Sequence, residues 1–157
     1  MSRRGTDGST ERRKAGPRAT GKVGVERWIE DVFYGLAEIV VYGFPALLWL
    51  LGAPYSAEVK FAALVAIGAL SLAVGTVRWD GSVGWPTTSY RLVPVRIAYH
   101  SLAILAAAGG GAAVDLLADS ALGSLVVAVG VSVAAVWLFP RLVEVLGRLP
   151  PWWQWSR

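Results

Sequence analysis

ALGSLVVAVGVSVAAVWLF, residues 121–139, decides the fold: these nineteen residues carry no charge. A helix of about 20 apolar residues is what crosses the hydrocarbon core of a bilayer. Three other stretches, roughly 33–51, 60–77 and 97–114, read the same way. Hydrophobic residues make up 55% of the 157, mean hydropathy is +0.51, and no room is left for a second globular domain. The expected fold class is therefore all-α. The chain reads as a polytopic integral membrane protein, with a four-transmembrane-helix bundle at 28–139 and a short C-terminal interfacial amphipathic helix.

The flanking segments have a different chemistry. Residues 1–27 mix Arg, Lys, Gly, Ser and Thr and have few large apolar side chains. Such a composition cannot offset the entropy of ordering, so a disordered, basic cytoplasmic arm is expected. The first apolar stretch is longer than a secretory signal core, and Gly52-Ala53-Pro54 is a poor cleavage site, so it is expected to be retained as the first span. In residues 140–157, Arg141, Glu144 and Arg148 share one helical face, opposite Leu142, Val145, Leu146 and Leu149. Pro150-Pro151 ends that pattern. Trp152, Trp153 and Trp155 then form an aromatic foot for the headgroup layer.

Charge sets the orientation, because Lys and Arg beside short loops resist translocation. Fourteen of the fifteen cations lie before the first span, between the second and third, or after the fourth; only Lys60 lies on the other side. Both termini are expected in the cytoplasm, which requires an even number of spans. Trp28, Trp79, Trp85 and Trp137 fall near predicted cytoplasmic ends and are expected to act as interfacial anchors. The inner loop from Arg78 to Val95, with Gly81, Gly84, Pro86 and Pro94, is expected to form turns on the membrane surface. Twelve arginines against three lysines, among abundant Ala, Gly and Val, suggest translation from a GC-rich genome, so a prokaryotic plasma membrane is the expected location.

Helix contacts should use small residues, since lipid supplies no hydrophobic drive between helices. Ala62, Ala66, Ala69 and Ala73 mark such a face in the second span. Gly109-Gly110-Gly111 lies in the third, and Gly123, Ala128, Gly130, Ala134 and Ala135 in the fourth. An offset of 62 carries Val65-Ala66-Ile67-Gly68 onto Val127-Ala128-Val129-Gly130 and Glu38 onto His100. In a chain this rich in Ala, Val, Leu and Gly, biased composition accounts for that echo more readily than a duplication of the two halves.

Ionisable residues inside spans are costly and usually face a partner, which singles out Glu38 and His100. Both lie a few residues in from a predicted cytoplasmic end, at similar depth. Tyr34 and Tyr42 share a helical face with Glu38, and Arg96 shares one with His100. The expected cluster is thus Glu38, His100, Arg96, Tyr34 and Tyr42, acting either as a structural pairing or in proton coupling. Pro45 is expected to kink the first helix and free the carbonyl of Val41.

Cysteine is absent and His100 is the only histidine, so no metal site is expected. No glycine-rich phosphate loop or nucleophile elbow occurs, and neither enzymatic activity nor a cofactor is expected. The expected partners are the lipid bilayer, anionic lipid contacted by the basic arm, and a second copy or a larger membrane complex. Nucleic-acid binding is not expected from an arm without a stacking aromatic before Trp28. The expected role is a structural or accessory component of a membrane complex. The alternative is a small transporter or channel for protons or a small solute that uses the Glu38/His100 pair.

Overall fold

A computed structural model describes residues 24–54, 56–81, 83–87 and 89–148. Among these the chain is helical, without strands: α1 (Val25–Tyr42), α2 (Phe44–Leu51), α3 (Ser56–Asp80), α4 (Val93–Ala118) and α5 (Ala121–Arg148). One 3-10 turn, Tyr90–Leu92, precedes α4. Three helices are long and apolar enough to cross a membrane, within α3, in α4 with the turn before it, and in α5. The pair α1 and α2 passes the same test together, although bent by 66°, so the spans number up to four. The basic arm up to residue 23 and the tail with Trp152, Trp153 and Trp155 lie outside the described residues.

The central element is α3, which packs on α1, α4 and α5, while α4 packs on α5 and α2 lies mainly on α4. Small side chains make the close contacts: Ala62 and Ala66 of α3, Ala107 and Ala108 of α4 and Ala128 of α5 are fully buried. The expected small-residue faces are only partly used, for Gly109, Gly130 and Ala134 are exposed. The closest backbone approach is between α1 and α3. A Cβ added to Gly75 would lie 2.6 Å from Val32 Cα, a distance that only glycine permits.

The single first helix expected over 33–51 is instead two helices meeting at Gly43. Pro45 has no N–H to offer the Val41 carbonyl, and its ring crowds that turn, so the helix breaks where the sequence suggested a kink. Gly43 completes the break, because the Ile104 side chain of α4 fills the space that a Cβ there would need. Ser101 Oγ, also on α4, donates to the Tyr42 carbonyl at 3.4 Å. One helix thus fills the bend and satisfies a backbone acceptor next to it.

A second departure concerns α5, which runs unbroken through Pro140 to Arg148. The separate interfacial helix expected from residue 140 is therefore the last part of a 28-residue helix. Proline within a helix removes one hydrogen bond, and packing against neighbours can hold the rest of the helix together. That packing is present here. Phe139 is fully buried, and the Tyr99 hydroxyl of α4 donates to the Ala135 carbonyl at 2.6 Å.

The turn between α4 and α5 is short. Asp119 adopts the left-handed conformation (φ 47°) that ends α4. Ser120 Oγ accepts the Gly123 N–H at 3.0 Å, making Ser120 the cap of α5.

Candidate functional site: a buried ion-pair cluster

Glu38 lies on the inner side of α1, one turn before the break, with 8% of its side chain exposed. Four donors converge on its two oxygens. Arg96 of α4 pairs with Oε1, and His100, one turn further along α4, places Nε2 3.4 Å from the same oxygen, where an Nε2–H tautomer donates. Arg78, near the end of α3, donates to Oε2 at 3.2 Å. Trp85 Nε1–H, from the loop between α3 and α4, donates to Oε2 at 3.1 Å. A carboxylate has about four acceptor positions, so this set fills it.

Arg96 is fully buried and ranks among the largest buried side chains of the described chain. Besides Glu38, it donates to the Pro86 carbonyl of the loop. Its guanidinium carbon lies 5.2 Å from the Phe139 ring centroid and 5.7 Å from that of Tyr42. The aromatic faces partly replace the water a guanidinium would otherwise keep. The His100 ring, also buried, sits among Tyr42, Tyr99 and Phe139, with centroids 5.2–6.1 Å away.

Of the residues singled out in the sequence, the structure brings Glu38, His100 and Arg96 together. Tyr42 belongs to the cluster through its ring, without a bond to Glu38. Tyr34 does not enter: its side chain is largely exposed, and its contact is with the Arg78 guanidinium, 5.8 Å from its centroid. The broad helical face that Tyr34 shares with Glu38 extends past the edge of the α1–α3 contact.

Trp85 is a correction. In place of an interfacial anchor, it is half-buried, its ring 5.2 Å from Phe139 and its N–H committed to Glu38. A buried acceptor with an unfilled position is a stronger attractor for an indole N–H than the headgroup layer. The loop consequently folds over the end of the bundle. Of the other tryptophans, Trp79 and Trp137 are exposed, and Trp28 donates to Thr76 Oγ1 at 3.3 Å.

Arg78, Trp85 and Ser101 were not among the residues the sequence singled out for the site. Arg78 reads as a topology cation and Trp85 as an anchor because their partner is 40 and 47 residues away in the chain. No local periodicity encodes such a contact. The available signal was arithmetic: a buried carboxylate has more acceptor positions than Arg96 and His100 fill.

A cleft of about 440 Å³ opens beside the cluster, walled by α1, α3 and the loop, with Asp31, Glu38, Arg78, Val83, Trp85 and Thr87 among its lining residues. Asp31 stands apart from the Glu38 network. Its Oδ2 is buried without a hydrogen-bond donor, and Arg27 Nε lies 3.9 Å away on a largely exposed side chain.

Fold and site together define a helical bundle with span-length apolar helices and an internally neutralised carboxylate at one end. Residues 22–146, most of the chain, match the family described as Domain of unknown function (DUF8215), and the chain belongs to that family. No curated protein and no solved structure matches it.

Proposed function

We propose that this is a multi-pass protein of a prokaryotic plasma membrane, with both termini cytoplasmic. In this reading it acts without catalysis, as a structural or accessory subunit that packs against itself or a larger membrane complex. The observation that carries the proposal is the saturation of Glu38. Four donors from two other helices and a loop occupy its oxygens, so it has no free acceptor position for a transported cation. Such a group fixes the register of α1, α3 and α4 and holds the loop over them. Charges inside a span are costly and pair with one another when they occur, and here the pairing ties three helices and a loop together.

The second reading, a proton or solute path coupled through Glu38 and His100, draws support from the α1–α2 break. Discontinuous spans form the binding sites of many transporters, and here the break lies one turn beyond Glu38.

Proteoliposomes with an internal pH dye separate the two. The structural reading expects no pH-dependent proton flux from the parent protein, and lower stability without flux for Glu38→Gln. A flux in the parent that a folded Glu38→Gln protein lacks would replace it with the transport reading. The membrane assignment itself fails if the protein is recovered soluble and monodisperse without detergent.

A further inference from the structure

The cleft beside Glu38 is lined by two further charges, each only partly compensated. Within the cluster the Glu38 charge is matched by Arg96, whose side chain is fully buried behind it. On the cleft walls this leaves one carboxylate, Asp31, and one guanidinium, Arg78. Asp31 Oδ2 is buried without a hydrogen-bond donor, and its ion pair with Arg27 is long, at 3.9 Å. Arg78 donates from Nη1 to Glu38, and 31% of its side chain is exposed.

A bare anion entering here meets Asp31, and a bare cation meets Arg78; each loses much of what it gains. A ligand with both charges satisfies both walls. We infer that the cleft between α1, α3 and the 81–87 loop binds a zwitterion. The ligand would be a primary ammonium, donating to Asp31, joined by a few atoms to a phosphate held by Arg78. Guanidinium is well matched to phosphate, and a primary ammonium brings three N–H donors to an acceptor that has none. The volume suits a group of phosphoethanolamine size, with Thr87 and the Trp85 ring as further walls.

Two sources share this chemistry: a phosphatidylethanolamine headgroup, and a free phosphoethanolamine-type solute. The exposed Tyr34 and Trp79 near this end of the bundle are aromatic residues of the kind that populate the headgroup layer, which favours the lipid. The lipid source rests on the membrane reading proposed above; the zwitterion site does not.

The test is thermal unfolding of the full-length protein in non-ionic detergent. It is run with added phosphatidylethanolamine, phosphatidylcholine or phosphatidylglycerol, and separately with soluble O-phosphoethanolamine. Phosphatidylcholine carries both charges but no N–H to donate to Asp31, and phosphatidylglycerol carries no cation at all, so the two separate the need for hydrogen-bond donors from the need for a positive charge. Phosphatidylethanolamine is expected to raise Tm by about 5 °C or more near saturation, and the other two lipids by clearly less. Asp31→Asn, nearly isosteric and outside the Glu38 network, should stay folded and erase the preference, while Asp31→Glu retains part of it. A matching shift from O-phosphoethanolamine identifies the source as a solute; a shift from the lipid alone identifies the headgroup. Equal shifts from all three lipids, no shift from any ligand, or a preference that survives Asp31→Asn overturns the site. Membrane extraction and flux measurements are unaffected by any of these outcomes, so the two proposals fail separately.

Discussion

Glu38 and Arg96 form an ion pair between α1 and α4 that is largely withdrawn from water, with 8% and 0% of the two side chains exposed. Taking two charges out of water costs several kcal/mol per ion, and mutual attraction offsets this only when the remaining donors and acceptors are satisfied. On the carboxylate they are, since Arg78, Trp85 and His100 complete it; on the guanidinium the Pro86 carbonyl takes one N–H, while Nε is buried without a hydrogen-bond partner.

Removing the carboxylate should therefore cost more than the pair is worth. Glu38→Gln strands a buried guanidinium, and the expected loss is about 3–5 kcal/mol, read by denaturant or thermal unfolding in detergent. The double variant Glu38→Leu, Arg96→Met should recover a large part of it. A single variant as stable as the parent would show that the cluster does not hold the bundle.

Trp85→Phe tests the loop. It keeps the ring against Phe139 and deletes only the N–H that reaches Glu38. A hydrogen bond to a charged group contributes about 1.5–3 kcal/mol, and that is the expected loss. Proteolysis within residues 81–87 should accelerate with it; unchanged protection of the loop would argue that Pro86 and Arg96 hold it alone.

Two glycines of α3 should respond oppositely to alanine. At Gly75 the new methyl meets Val32 backbone atoms, forcing α1 away and costing at least about 2 kcal/mol. At Gly68 nothing lies within 4 Å, and the gain in helix propensity, up to about 1 kcal/mol, should show as a modest rise in Tm. Equal effects at both positions would contradict the α1–α3 crossing.

The absence of cysteine makes topology directly measurable. Single cysteines at Tyr90 and Ala118, near opposite ends of α4, are expected to react with an impermeant maleimide from opposite sides of the membrane, Ala118→Cys from outside. Labelling of both from one side would refute the orientation drawn from the arginines.

The helices were legible because length and apolarity suffice for them. The span-length segments at α3, α4 and α5 follow from runs of Ala, Val and Leu that no soluble core of 157 residues requires. Glu38 and His100 were legible for the converse reason, as costly groups in apolar surroundings. Two boundaries misled. Pro140 carries the same local signal as Pro45, yet only Pro45 marks a break, because at Gly43 a neighbouring Ile104 occupies the missing side chain's place while Phe139 is held in the core. Trp85 was misread for a similar reason. An indole in a Gly- and Pro-rich loop has the same local pattern whether it faces headgroups or a carboxylate, and the difference lies in a contact 47 residues away.

Placed in a bilayer, the bend at Gly43 would also shape the surrounding lipid. Eight residues of α2 make a rod of about 12 Å, and leaning by 66° it adds only about 5 Å of height along α1. In a bilayer the first span, about 32 Å tall with the 18 residues of α1, would be shorter than the 25–28-residue helices beside it, which would leave a notch on one flank. Acyl chains beside that notch must shorten, splay or give way to a protein neighbour, whereas those on the α5 flank meet a full-height wall. A bundle outlined in this way has a front and a back within the plane of the membrane, and it can sort its surroundings by thickness without any recognition motif.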